Sequence, residues 1–249
     1  MNVYRSIIVF LYGILIGSFL NVCIYRIPKK EDITITRSHC MQCGYRLKWY
    51  DMIPVFSYLF LGGRCRKCKC KLSIQYPLVE AANGILYLLI FGVYGFTLTS
   101  VVYCLMTSAL LVLAVIDART MEIPFGINVC LFALGLLHLL TDISNWPLYV
   151  IGFFAVGAPL WLLFVLSKGR AIGGGDVKLM AAAGLILGWK LILLALALGS
   201  IIGSVIHMTR MKLTRADHQL AFGPYLAAGI FLAAMWGDTW IRMYLEWIF

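Results

Sequence analysis

The chain has 249 residues, of which 62% are hydrophobic, and its formal net charge at pH 7 is +10. Its mean hydropathy of +0.90 excludes a soluble globular domain of this length, because such a domain needs a more polar surface. The composition therefore predicts an all-α protein that crosses a membrane several times.

Eight apolar stretches approach the roughly 17 to 25 residues that a helix needs to span the hydrocarbon core. The predicted spans are 5–25, 78–96, 98–117, 124–140, 148–167, 175–188, 189–207 and 219–237. Residues 238–249 carry Trp240, Tyr244 and Trp247, and we expect them to form an interfacial tail. We expect three parts: a first transmembrane helix over 1–25, a cytoplasmic four-cysteine loop over 26–77, and a membrane-embedded domain over 78–249.

The distribution of basic residues predicts the orientation of the chain. Between Arg26 and Tyr76 there are eleven Lys or Arg residues and three Asp or Glu residues. Positive loops face the cytoplasm, so we expect this segment inside and the N-terminus outside. Alternating the spans leaves only Arg5, Lys190 and Arg242 outside. The net charge then reflects topology and attraction to anionic membrane lipids, and we expect no nucleic-acid partner.

Polar residues in the first two spans have structural as well as functional interpretations. Gly13 and Gly17 have the GxxxG spacing of a close helix-packing face. Asn21 needs an internal hydrogen-bond partner, and a structural role is the simpler one. Glu80, at the entry to the second span, either caps a helix N-terminus or binds a substrate amine or a cofactor.

The loop carries the strongest metal signal in the sequence. Cys40-x2-Cys43 and Cys65-x2-Cys68 are separated by 21 residues, which is typical of a tetrahedral Zn²⁺ site with four thiolates. Disulfides are disfavoured because the predicted orientation places the loop in a reducing compartment. Cys70 could replace Cys68 as a ligand, although its spacing from Cys65 fits less well. The remaining cysteines are expected to be small buried apolar residues: Cys23, Cys104 and Cys130.

Two aspartates stand where an apolar chain should not carry charge. Asp117 ends the third span, and Asp176 follows the glycines of Gly173-Gly-Gly175 at the start of the sixth. The glycines predict unwound backbone just before Asp176, which would cap its helix. Ionisable residues inside a membrane are functional-site candidates, and the predicted topology brings both acids to the cytoplasmic face.

A pair of carboxyl groups can hydrolyse a peptide bond, because one can take a proton from water while the other protonates the carbonyl oxygen. Asp176 begins a helix, where the positive end of the dipole stabilises a carboxylate, and Lys178 adds a nearby positive charge. Asp117 ends a helix, where the dipole disfavours an anion. We therefore expect Asp176 to be the ionised base and Asp117 the protonated partner.

Taken in order, these motifs resemble the bacterial type IV prepilin peptidases, which are membrane aspartic proteases of the GxGD group. The resemblance covers nearly the whole chain and rests on seven blocks: residues 17–28, the four-cysteine loop, 49–54, 75–80, Asp117 with Ile123-Pro124, 173–179 and 222–226.

The resemblance implies that residues 78–249 form the aspartic peptidase domain. It also implies removal of a short basic leader peptide at the cytoplasmic face of the bacterial inner membrane. The substrates would be precursors for type IV pili, type II secretion pseudopili or a competence apparatus. It also implies methylation of the new N-terminal amine with S-adenosylmethionine. The sequence itself shows no GxGxxG nucleotide-binding motif, so the residues that would bind this cofactor stay unassigned.

Two other functions use the same features differently. A transporter could use Asp117 and Asp176 as a proton or cation relay beside a broken helix. This alternative does not explain why both acids lie at one membrane face. A zinc-containing membrane scaffold, with the aspartates as helix caps, is the third interpretation.

Overall fold

The structure, a computed structural model, describes residues 2–214 and 220–248. Over these ranges the chain forms α-helices, two short 3₁₀ turns and no strand. The helices are α1 Val3–Arg26, α2 Phe56–Phe60, α3 Gln75–Tyr94, α4 Leu98–Thr120, α5 Phe125–Thr141, α6 Trp146–Leu166, α7 Gly174–Leu187, α8 Trp189–Thr214 and α9 Gly223–Ile248. The predicted all-α class is confirmed.

Within the described residues, five segments are long and apolar enough to cross a membrane: Val3–Arg26, Gln75–Tyr94, Leu98–Thr120, Ile143–Leu166 and Trp189–Leu213. A multi-pass membrane protein is thus confirmed, whereas the count of eight spans is not. The α5 helix has 17 residues and α7 has 14. At 1.5 Å per residue α7 is only about 21 Å long, which is shorter than the hydrocarbon core.

The last helix differs from its predicted bounds. It runs over Gly223–Ile248, so the expected interfacial tail continues α9. Pro224 is the second residue of this helix, where its missing N–H breaks no helical hydrogen bond. Residue 219, the predicted start of this span, and Arg215, which the charge pattern places inside, lie outside the described residues.

The chain divides into two compact units, Met1–Val112 and Leu113–Phe249. The boundary lies within α4. The predicted division between the four-cysteine loop over 26–77 and the membrane-embedded domain over 78–249 stays a prediction.

Within the first unit, α1 packs closely against α3 through its GxxxG face. A Cβ atom on Gly13 would lie 2.6 Å from the Gly84 Cα, and one on Gly17 would lie 2.7 Å from the Glu80 Cα. Asn83, which is fully buried, donates from Nδ2 to the Gly13 carbonyl at 2.7 Å. The predicted packing role of these glycines is confirmed, because no larger residue would let the backbones approach so closely.

Two polar side chains join α1 to the segments that follow it. Asn21 donates to the Tyr76 carbonyl at 3.1 Å, which is the internal partner that its burial requires. Arg26 is buried at the end of α1, and its Nη1 donates to the carbonyls of Asp32 and Thr36 at 2.9 and 2.8 Å. The start of the cysteine loop is thereby folded back onto the helix end.

In the second unit, α7 packs against α5, α6, α8 and α9. Nine of its 14 residues are buried, in a run that begins at Val177. Gly152 of α6 and Gly184 of α7 meet backbone to backbone, so neither position has room for a side chain. Because α7 is enclosed by other helices, the carboxylate in its first turn lies in a protein environment.

Candidate active site and metal site

Asp117 lies in the last turn of α4 and is 4% exposed. Its Oδ2 accepts a hydrogen bond of 2.9 Å from the backbone N–H of Gly223, the first residue of α9. A Cβ atom on Gly223 would lie 2.7 Å from that oxygen. The glycine of the 222–226 block therefore lets a helix N-terminus reach the carboxylate, an anion-binding arrangement that the sequence did not reveal.

Asp176 is the third residue of α7 and is half-buried. The residue before the helix is Gly173, whose backbone is extended, whereas Gly174 and Gly175 form the first turn. The prediction that the backbone just before Asp176 is unwound is therefore wrong, because glycine at the first helical positions costs little where N–H groups lack helical partners anyway. Nor does Asp176 cap the helix: it belongs to the first turn.

The segment that follows Asp117 packs against Gly175 and leaves no room there for a side chain. A Cβ atom on Gly175 would lie 2.8 Å from the Ile123 Cβ, so the Ile123-Pro124 motif packs directly on the turn that carries Asp176. The Oδ1 atom of Asp176 is buried and has no hydrogen-bond partner among the described residues. The contact between Ile123 and Gly175 joins the segments that carry the two acids, and Asp117 and Asp176 stay candidates for one active site.

A groove of about 310 Å³ runs beside this site between α5, α6 and α7. Its lining is mostly apolar and aromatic: Phe125, Val129, Phe132, Phe153, Ala181 and Ala182. Lys178 also lines it, with its ammonium nitrogen 5.2 Å from the centre of the Phe125 ring. The ammonium group of Lys178 therefore lies over the face of the Phe125 ring.

Asn128 is a site residue that the sequence analysis missed. It is 4% exposed, and its Nδ2 donates to the Gly175 carbonyl at 3.3 Å. Its only signal in the sequence was an amide inside an apolar run, which also fits a purely structural hydrogen bond. Its position ties α5 to the first turn of α7.

Glu80 does not cap α3. It is the sixth residue of that helix because α3 begins at Gln75, three residues before the predicted span. The side chain is 7% exposed and accepts a hydrogen bond of 2.6 Å from the backbone N–H of Val55. Val55 has a φ of 62°, an unfavourable value for a β-branched residue. Glu80 thus holds a strained turn of the cysteine loop against α3.

The four predicted metal ligands come together. The Sγ atoms of Cys40, Cys43, Cys65 and Cys68 all lie within 4.8 Å of one another. Four sulfurs bound tetrahedrally at about 2.3 Å from Zn²⁺ would lie about 3.8 Å apart. The measured separation between the Cys40 and Cys68 sulfurs is 3.8 Å. The cluster could bind a metal such as zinc.

Each CxxC motif forms the same turn. The N–H of Cys40 donates to the Tyr45 carbonyl, and that of Cys65 to the Cys70 carbonyl, both at 2.9 Å. Backbone hydrogen bonds from Cys43 and Cys68 lower the pKa of Cys40, to about 6, and of Cys65. Two of the sulfurs therefore favour the thiolate form that a metal requires.

Asp51 connects the two turns. Its side chain is 2% exposed, and Oδ1 accepts a hydrogen bond of 2.7 Å from the guanidinium of Arg66. Arg66 lies in the second CxxC turn, and the two side chains form an ion pair. Its Oδ2 accepts from the Lys48 N–H at 3.2 Å and the Tyr45 hydroxyl at 3.3 Å, next to the first turn. The 49–54 block therefore includes a buried acid that organises the loop.

This network predicts a pH dependence of stability. Burial alone would raise the pKa of Asp51, but hydrogen bonds from Arg66 and Lys48 outweigh it and hold the pKa below its usual value. Asp51 therefore stabilises the fold at pH values above its unfolded-state pKa of about 4. That contribution is lost as the pH falls through the lower pKa of the folded state. We expect the thermal midpoint of the wild type to exceed that of Asp51→Asn by a constant amount from about pH 7 to 5.

Below about pH 4 that difference in midpoint should shrink, since the wild-type carboxylate then becomes protonated. Zinc content is measured in both proteins at each pH, and the midpoints are compared only where both retain the metal. A difference that stayed constant down to pH 3 would contradict the assigned role of Asp51.

Comparison with known proteins supports this architecture. Residues 11–94 match the family model described as the bacterial peptidase A24 N-terminal domain, and residues 104–208 match the type IV leader peptidase family. The second match includes both Asp117 and Asp176. The first includes the four-cysteine cluster and Glu80.

Similar curated proteins align with this chain over most of their length. A prepilin leader peptidase/N-methyltransferase from Pseudomonas putida is 32% identical, over 91% of this chain and 88% of the relative. Proteins of the same name from Pseudomonas aeruginosa and Aeromonas salmonicida are 31% and 33% identical, over 95% and 97% of this chain and 92% and 94% of the relatives. No solved structure gave a significant match.

Proposed function

Because the chain belongs to the type IV leader peptidase family, we propose that it cleaves leader peptides from prepilin-type precursors with Asp117 and Asp176. We further propose that it methylates the amine that cleavage exposes, as the names of its relatives indicate.

The observation that carries the peptidase assignment is the pair of carboxyl groups in one helical unit. Asp117 is held by the Gly223 N–H, and Asp176 has a buried oxygen without a partner among the described residues. Two acids in one low-dielectric site favour a state in which one is ionised and the other protonated. That state is the one required for aspartic peptide hydrolysis.

In the proposed reaction, the Asp176 carboxylate takes a proton from water while the oxygen attacks the scissile carbonyl. Asp117 donates its proton to the carbonyl oxygen, which gives a neutral tetrahedral intermediate. When the C–N bond breaks, the proton held by Asp176 passes to the leaving amine, and Asp117 recovers its proton from the hydroxyl. The reaction consumes one water and restores both side chains.

The second activity would transfer a methyl group from the sulfonium of S-adenosylmethionine to the new amine, with loss of a proton. The products are S-adenosylhomocysteine and a methylated N-terminus. We assign no residue of this chain to the cofactor. This activity rests on the relatives alone.

We propose zinc as the metal of the cysteine cluster, with Cys40, Cys43, Cys65 and Cys68 as ligands and a structural role. Such a site would supply folding energy to a loop whose regular structure is limited to a 3₁₀ turn and the five-residue α2. We also propose that the N-terminus lies outside and the carboxyl pair at the cytoplasmic face, as the basic residues predict.

Incubation with a prepilin precursor in detergent tests both activities. Mass spectrometry should show loss of the leader, and with S-adenosylmethionine present, a gain of one methyl group on the product. A precursor left intact by the wild-type protein would overturn the peptidase assignment. Cleavage without methylation would overturn only the second activity.

The glycines of the Asp176 turn give a matched pair of variants. At Gly175 a methyl group would meet the Ile123 Cβ at 2.8 Å, whereas at Gly174 the nearest atoms, in the Phe164 ring, are 3.5 Å away. We expect Gly175→Ala to displace the turn that carries Asp176 and lower kcat/KM by about tenfold or more.

Gly174→Ala is the control, since its methyl group makes ordinary contacts and alanine favours a helix. Its kcat/KM should stay within about twofold of the wild-type value. Equal losses in the two variants would show that flexibility of the glycine segment matters more than the contact with Ile123.

A further inference from the structure

Cys70 is a fifth thiol beside the four-cysteine cluster. Its Sγ lies 3.7 Å from the Cys40 Sγ, and the Cys68 Sγ lies 3.8 Å from the same atom. Both distances match the separation of about 3.8 Å between two thiolates on one tetrahedral Zn²⁺. Cys70 is not among the four sulfurs that all lie within 4.8 Å of one another, so it would have to move toward the other ligands to replace Cys68. A structural zinc site takes four ligands, so one of these two thiols must be left out.

The two CxxC turns differ at this point. In the first, the residue that accepts the N–H of the leading cysteine is Tyr45, and in the second it is Cys70. The preceding residue has a positive φ in each turn: 67° at Gly44 and 60° at Lys69. Glycine adopts this conformation freely, but a residue with a side chain does so at a cost of about 1 kcal/mol. The second turn is therefore less stable in its present form.

We propose that Cys68 and Cys70 are interchangeable fourth ligands, so that the site has two ligand sets sharing Cys40, Cys43 and Cys65. This inference rests on the proposed zinc site. When Cys70 binds, its thiol loses a proton and the released Cys68 thiolate takes one up, so the charge of the site does not change. Lys69 leaves its unfavourable backbone conformation in the exchange.

The exchange would change how the metal is connected to α3, which begins at Gln75. The chain from metal to helix runs over seven residues when Cys68 is the ligand and over five when Cys70 is the ligand. Two residues span at most about 7 Å. The same zinc ion could thus support two positions of the loop relative to the helix that carries Glu80.

Zinc content of the purified full-length protein tests the exchange. We expect about one zinc per chain in wild type, Cys68→Ser and Cys70→Ser, and almost none in the double variant. Cys65→Ser, which removes a shared ligand, is the reference for a lost site. Loss of zinc from Cys68→Ser to the level of Cys65→Ser would overturn the inference.

A second test leaves every ligand in place. Brief iodoacetamide treatment of the native zinc-loaded protein, followed by peptide mapping, should label Cys68 and Cys70 in a measurable ratio. Lys69→Gly removes the backbone cost of the Cys68-bound form, so it should shift the label toward Cys70 by about fivefold. A ratio that this variant leaves unchanged would overturn the inference.

The two tests separate this inference from the assignments on which it depends. Wild-type protein without zinc would overturn the metal site and the exchange together. Leader cleavage is measured independently, and its absence would bear on Asp117 and Asp176 only.

Discussion

Asparagine at either Asp117 or Asp176 is expected to lower leader cleavage by about 10² to 10⁴-fold, the range for loss of a general acid or base. Asparagine matches aspartate in size, and its oxygen can still accept the Gly223 N–H that now binds Asp117. The protein should therefore accumulate in the membrane as usual. What is lost is the ability to exchange a proton with water or the scissile carbonyl.

Two measurements distinguish a chemical defect from misfolding. Zinc content should match the wild type in both variants, because the cysteine cluster lies in the other compact unit of the chain. Asp238→Asn changes an acid on the exposed part of α9 and should leave cleavage unchanged. Substantial proteolysis by either active-site variant would remove that aspartate from the mechanism.

The candidate site could be predicted because charge is conspicuous in an apolar sequence. A carboxylate in a membrane helix is costly, so Asp117 and Asp176 were recognisable without any knowledge of their neighbours. Their immediate contacts were not predictable. Gly223 lies 106 residues after Asp117, and only the packing of α9 brings its N–H to that carboxylate.

The glycines before Asp176 show why a correct motif can suggest the wrong conformation. Glycine lowers helix propensity, which favoured unwound backbone in the sequence analysis. In the structure, Gly174 and Gly175 are helical, and the need for glycine at Gly175 comes from Ile123. A tertiary contact between segments some 50 residues apart cannot be read from local propensity.

Glu80 illustrates the same limit in the other compact unit. Its interpretation as a helix cap depended on where α3 begins, and an error of three residues moved it into the helix interior. Its partner, Val55, lies in a turn with positive φ that no local pattern predicted. The alternative that Glu80 binds a substrate amine or a cofactor gains no support from a side chain engaged with the backbone.

The metal cluster was predictable because two CxxC motifs specify a ligand set by spacing alone. The buried ion pair that supports it was not, since Asp51 and Arg66 belong to different parts of the loop and charged residues usually lie at the surface. The predicted count of eight membrane spans is not confirmed, since five segments of the described residues are long and apolar enough to cross a membrane. Hydropathy does not distinguish a spanning helix from a short helix such as α7 that is enclosed by protein.

Removal of the metal is expected to have the second large effect. Structural Zn²⁺ contributes roughly 10 to 16 kcal/mol to folding in small zinc domains, more than a short loop gains from its own apolar contacts. Cys40 and Cys65 are both buried in the cluster. We expect Cys40→Ser or Cys65→Ser to reduce zinc from about one per chain to near zero, and residues 26–77 to become sensitive to protease.

Cys130→Ser serves as the control, because this cysteine lies outside the cluster. The prediction of burial is confirmed for Cys23 and Cys104 but is wrong for Cys130, which is exposed because it lies off the buried face of α5. Zinc content and protease resistance should both match the wild type. Leader cleavage by Cys40→Ser tests whether the loop also contributes to catalysis. If its kcat/KM equals that of the wild type, the metal stabilises the loop only. Wild-type protein prepared without chelators and found to contain no zinc would contradict the proposed zinc site.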